Sequence, residues 1–115
     1  MDVVGLTSGV IAIDTSNTLY GGRHTCALMA SGSVKCWGAN EHGQLGDGTT
    51  GQQLTPVDVI GLTSSVSAIA VGVDHTCALT SGGSVLCWGS NQYGTLGRGT
   101  AAIQTTPVDV EGFGP

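Results

Sequence analysis

Over Val10–Ile13, and again over Val66–Val71, apolar and small residues alternate in runs rich in valine and isoleucine, the period of two that marks a strand. Two more apolar segments follow each run. HTCAL (24–28, 75–79) and SVKCW or SVLCW (33–37, 84–88) are joined by Ser-Gly turns at Ser31–Gly32 and Ser81–Gly83, which predicts a hairpin. TPVDV (55–59, 106–110) reads as a fourth short strand, with its proline at the start, where no ladder donor is needed. Between the third and fourth strands lies a glycine-rich excursion, GANEHGQLGDGTTGQQL in the first copy. No segment carries a helical period or a helix cap, so the pattern predicts an all-β chain.

The pattern is written twice. His24/His75, Cys26/Cys77, Cys36/Cys87, Trp37/Trp88, Gly43/Gly94, Gly46/Gly97 and Pro56/Pro107 all stand 51 residues apart, and from His24 to Gly61 the copies share 24 of 38 positions. A fixed period of this length identifies a supersecondary unit that needs neighbours to bury its faces. Four short strands per ~50 residues is the unit of a β-propeller blade. Two four-stranded antiparallel blades are therefore expected, the first over 2–57 and the second over 58–115. Upstream of the histidines the first copy carries about five extra residues within 14–20, read as a lengthened loop, with a functional loop or strand-exchanging arm as the alternative. The junction Asp-Val-x-Gly recurs at 2–5, 58–61 and 109–112, so the chain is cut at one phase of its repeat.

Composition narrows the function classes. The chain is 40% hydrophobic, too apolar for disorder, and its 20 glycines suit tight turns better than helices. Three basic residues, Arg23, Lys35 and Arg98, face eight acidic ones, which leaves no footprint for nucleic acid. No apolar run approaches the ~20 residues of a membrane helix, so no membrane partner is expected. The opening MDVVGLTSG lacks the cationic region of a signal peptide.

Histidine, cysteine and tryptophan invite a chemical reading. The cysteines of each copy lie ten apart around the turn, which sets them nearly opposite, at ~4.5 Å between Cα atoms. A cross-strand disulfide (Cys26–Cys36, Cys77–Cys87) is the leading reading, beside buried free thiols and a metal site. His24, Cys26 and Cys36 supply three ligands of a zinc set, but no fourth is evident, and a set present in every repeat is usually structural. His24 and His75 are expected to bond backbone carbonyls between strands. Trp37 and Trp88 are expected to pack between blades with their indole N–H on backbone. Gly43, Gly46, Gly94 and Gly97 belong to the same repeat framework. Asp47 suggests a calcium loop, but its counterpart is Arg98 and the spaced acidic series is missing. No nucleophilic triad follows from the spacing, so no catalytic residue, cofactor or metal is assigned. Tyr20, His42 and Tyr93 fall where the copies differ or outside their identities, and are the candidates for recognition.

The series HTCAL…GSV-x-CWG-x-N-x-x-G-x-LG-x-GT…PVDV, present in both copies, resembles the regulator of chromosome condensation (RCC1) repeat family, in a bacterial-type variant. The resemblance implies blades of a propeller, commonly of seven. It does not carry function with it. Guanine-nucleotide exchange in that family uses loops that have no counterpart here. The Gly-Trp-Arg-His-Thr motif of its UV-B photoreceptors reads GGRHT and GVDHT, with Gly22 and Val73 in the tryptophan's place, which argues against light sensing. What the resemblance transfers best is a protein-binding scaffold.

A blade is apolar on both faces, so two alone would leave two faces bare. Either the chain is part of a longer propeller, or copies associate head to tail until a ring closes. Self-association is expected, with a homo-trimer favoured and a tetramer or strand-swapped dimer as alternatives. The functional expectation is a non-enzymatic scaffold for an unknown protein partner, and its rival a small-ligand or glycan-binding module. Paired cysteines lean towards an extracellular or periplasmic location.

Overall fold

A computed structural model describes residues 9–16, 23–62, 65–90 and 103–110. They form eight strands: β1 (Val10–Thr15), β2 (His24–Met29), β3 (Val34–Gly38), β4 (Gln53–Asp58), β5 (Val66–Val71), β6 (His75–Thr80), β7 (Val85–Gly89) and β8 (Gln104–Asp109). Two antiparallel sheets result, ordered β1-β2-β3-β4 and β5-β6-β7-β8. Each is a simple meander, and the two blades expected from the period are these two sheets.

The β2–β3 hairpin shows why the Ser-Gly turns work. Gly32 N–H donates to the Met29 carbonyl at 2.9 Å and Met29 N–H to the Ser33 carbonyl at 2.9 Å. Gly32 itself sits at φ 87°, left-handed space that glycine enters without a Cβ clash. Gly83 repeats the arrangement at φ 93° with Thr80 and Ser84. The turn fixes the register, and the register sets Cys26 opposite Cys36 and Cys77 opposite Cys87. Both pairs are disulfide-bonded, with Cα atoms 4.1 Å apart, the close spacing of a non-hydrogen-bonded pair.

The fourth strand departs from expectation. It starts two residues earlier than TPVDV, at Gln53 and Gln104, so Pro56 and Pro107 lie inside it and not at its start. The proline is tolerated because β4 is an edge strand whose ladder skips: Cys36 pairs with Val57 and Gly38 with Gln53, leaving 54–56 out of register.

Strand alternation gives each sheet two faces. One face of the first blade carries Ala12, Asp14, Cys26, Leu28, Val34 and Cys36; the facing side of the second carries Ile69, Val71, Thr76, Ala78, Leu86 and Trp88. The core lies between them. Cys26, Leu28, Val34 and Cys36 pack with Ala78 and Trp88, Leu45, Val59, Leu62 and Val66 close its margins, and Ile69, Val71 and Leu86 rest against it. The protein is therefore held together chiefly by the seam between its blades.

Candidate interaction site at the blade seam

The polar centre of the seam is one backbone carbonyl. Gln44, on the β3–β4 connection, accepts from Trp88 Nε1–H at 2.9 Å and from Thr76 Oγ1–H at 2.9 Å, both on the second blade. A hydroxyl has one proton. With that proton on Gln44, Thr76 Oγ1 is the acceptor for His24 Nε2–H at 2.8 Å. The chain His24–Thr76–Gln44–Trp88 thus crosses from blade to blade and back, and all four residues are buried. A second bond ties the rim, where Asp14 Oδ2 accepts the Val71 N–H at 2.9 Å.

The connection reaches the second blade because its glycines let it. A Cβ on Gly43 would stand 2.9 Å from Thr105 Cα, and one on Gly46 would stand 2.8 Å from both Trp88 Nε1 and Val59 Cγ1. Gly48 N–H then donates to the Thr105 carbonyl at 2.9 Å, joining the connection to β8. Asn40 holds its shape from within: Oδ1 accepts Leu45 N–H at 2.9 Å, and Nδ2 donates to the carbonyls of Thr49 at 2.9 Å and Gly51 at 3.0 Å. Asp47 Oδ1 accepts from Thr49 N–H and Oγ1–H.

Burial disfavours the charged imidazole. His24 is lowered from 6.5 to about 4, first by desolvation and then by the neighbouring His75, against a smaller opposing pull from Asp74. His75 is lowered as well, also by burial. His24 Nδ1 is buried without a hydrogen-bond partner among the described residues.

The sequence-predicted residues that the structure describes now have a place. His24 bonds a threonine hydroxyl of the next blade, not a strand carbonyl as expected. Trp88 packs between blades with its N–H on a backbone carbonyl, whereas its repeat partner Trp37 lies half-buried on the outer face of the first blade. His42 is half-exposed, its Nε2 4.0 Å from Asp74 Oδ2 across the seam. Gly43 and Gly46 are the close-approach points just described. Tyr20, Tyr93, Gly94, Gly97 and Arg98, with positions 17–20 of the insertion, lie outside the described residues. The sequence reading missed Gln44, Asn40, Asp14 and the threonines Thr25 and Thr76. The threonines carried a signal, a polar residue within an apolar strand in both copies; Gln44 carried none, because it acts through its backbone.

Among the described residues no group of three or more His, Cys, Asp or Glu side chains is placed to hold a metal, and no helix is long and apolar enough to cross a membrane. The arrangement is that of two blades of a β-propeller, joined along one seam. Comparison with known proteins agrees. The Regulator of chromosome condensation (RCC1) repeat matches residues 31–79 and 82–115, and a second description of the same repeat matches 66–95. The chain belongs to the RCC1 repeat family. The match over 31–79 starts between β2 and β3 of one blade and ends in β6 of the next, so the sequence repeat is out of phase with the sheet.

Among curated relatives, the ultraviolet-B receptor UVR8 of Arabidopsis thaliana is 40% identical over 78% of this chain and 21% of its own length. The human ubiquitin-protein ligase HERC2 is 36% identical over 81% of this chain and 2% of its own. The chain thus spans about a fifth or less of these relatives. Of solved structures, Prp20p from Saccharomyces cerevisiae, described with its binding properties to Gsp1p and histones, has a TM-score of 0.67 at 30% identity, covering 91% of this chain and 26% of that one. Yeast RCC1 (Prp20) bound to Kap60 has a TM-score of 0.64 at 32% identity, covering 75% of this chain and 20% of that one.

Proposed function

We propose that the chain is a non-enzymatic β-propeller scaffold for protein–protein interaction, and that the 115-residue chain completes its array by associating with further copies through its blade faces, most simply as a six-bladed trimer. The observation that carries this reading is the seam. It is the main core among the described residues, and none of those residues packs across the second face of either blade as the blades pack on each other in the seam. Leu28 is 1% exposed inside the seam, while its repeat partner Leu79 is 42% exposed outside it. Solved relatives point to protein partners, Kap60 for yeast RCC1 and Gsp1p and histones for Prp20p. For this chain the partner surface is assigned to the end of the blades where the β1–β2 and β3–β4 connections emerge, with His42 there and Tyr20 and Tyr93 as further candidates.

A small-ligand or glycan site needs convergent polar and aromatic groups. Two hollows among the described residues carry no aromatic group: one is lined by Ala68, Ile69, Ala70, Leu79, Val85 and their neighbours, the other by Ile13 with the polar Asp14, Thr15 and Thr25. The two disulfides support an oxidising compartment, extracellular or periplasmic. Size-exclusion chromatography with light scattering tests self-association. Three times the chain mass is expected, and a stable monomer at micromolar concentration overturns it.

A further inference from the structure

One hollow lies on the outer face of each blade, and none of the described residues fills it. The hollow on the second blade, ≈ 220 Å³, is lined by Ala68, Ala70, Cys77, Leu79 and Val85. Their repeat partners Ala12, Asp14, Cys26, Leu28 and Val34 form the surface on which Ile69, Val71, Leu86 and Trp88 rest inside the chain. The partners of those four are Ile13, Thr15, Lys35 and Trp37, and they stand on the outer face of the first blade, where the second hollow lies and Ile13 is 61% exposed.

From this correspondence we propose the docking mode, which rests on the self-association just argued: a second copy seats the Ile13–Thr25–Trp37 face of its first blade on the His75–Cys77–Leu79 face of its neighbour's second blade, head to tail. His75 Nε2–H meets Thr25 Oγ1 of the next copy as His24 meets Thr76 within the chain. Ile13 enters the apolar hollow beside Leu79.

One difference between the seams supports the pairing. Inside the chain the Val71 N–H needs Asp14 from across the seam, and the residue matching Asp14 on the second blade is Ala70, which has no carboxylate. The donor matching Val71 N–H is Thr15 N–H, and it is already satisfied by Oδ1 of its own neighbour Asp14 at 3.0 Å. The outer seam lacks the acceptor, and it does not need one. An isologous dimer, with like faces paired, brings His75 against His75 and leaves Thr25 without its imidazole.

Two variants, each with one face blocked at an exposed position, test the mode. Ile13→Arg blocks the first-blade face and Leu79→Arg the second. Intact mass reporting both disulfides, and an unchanged far-ultraviolet circular dichroism spectrum, establish that each variant is folded. In light scattering each variant alone is expected to be a monomer, and an equimolar mixture to give twice the chain mass and nothing larger. If either variant alone dimerises, or the mixture of folded variants stays monomeric while the unmodified chain assembles, the head-to-tail mode falls and self-association stands. A monomeric unmodified chain overturns both. Should a variant misfold, Thr25→Val and His75→Phe replace the pair, and an assembly constant unchanged within twofold overturns the mode.

Discussion

His24 and Thr76 do by side chain what strands do by backbone, passing one hydrogen bond between two blades. The same residue types stand at His75 and Thr25 with no partner blade among the described residues, so one substitution should read differently at the two sites. Thr76→Val leaves a buried imidazole N–H without an acceptor and should cost about 1–3 kcal/mol in urea unfolding. Thr25→Val should stay within about 0.5 kcal/mol when measured below the concentration of assembly. The depressed His24 adds a pH dependence whose sign is fixed. The unfolded chain takes up a proton at this site below 6.5 and the folded chain only below about 4, so stability is lost as the pH falls through that window. The loss at the bottom of the window is on the order of 2–3 kcal/mol from this group. In urea titrations at pH 7 and pH 4.5, His24→Gln should remove most of that difference; an unaltered difference would place its origin elsewhere.

At the scale of elements, two hairpins of nearly one sequence sit in different surroundings. Cys26 and Cys36 are wholly buried in the seam, whereas Cys77 lines the open hollow on the second blade. Limited reduction followed by alkylation and mass spectrometry should therefore label Cys77 and Cys87 before Cys26 and Cys36, and assembly should protect them. The β3–β4 connection is the other decisive element. Asn40 is buried and supplies its internal bonds, so Asn40→Ala should cost about 2–3 kcal/mol by leaving several backbone groups unpaired. The loss should appear as a lower urea midpoint. The two strands of each hairpin were legible in the sequence because alternation and Ser-Gly turns are local. The start of β4 was not, because a proline inside a strand is acceptable only where the neighbouring ladder skips, and that is a property of the pair of strands.

For the whole molecule, the open faces of the two blades are a more polar version of the two faces that meet in the seam. Thr15 and Lys35 stand where Val71 and Leu86 stand, and Lys35 is held by Asp58 at 2.6 Å on the outer surface. A seam built this way should close more weakly between copies than within one chain, since less apolar area leaves water. Lys35→Leu gives up a surface ion pair of small value and restores the apolar contact. It should lower the concentration of half-assembly about tenfold, as read by light scattering on dilution. An unchanged midpoint would mean that Lys35 does not face the seam between copies.

By itself the sequence determined the all-β class, the two blades and the repeat family, because each of these is written in local alternation, turn chemistry or a 51-residue period, and it set the cysteines opposite each other without deciding that they are bonded. It could not say which member of each repeated pair does what. His24 and His75, Trp88 and Trp37, Thr76 and Thr25 are identical as letters. Only the packing of one sheet on the next made one of each pair a buried link and left the other on an open face. Gln44 shows the limit most clearly: the acceptor at the centre of the seam is a backbone carbonyl, a group that every residue has, and position alone makes this one matter.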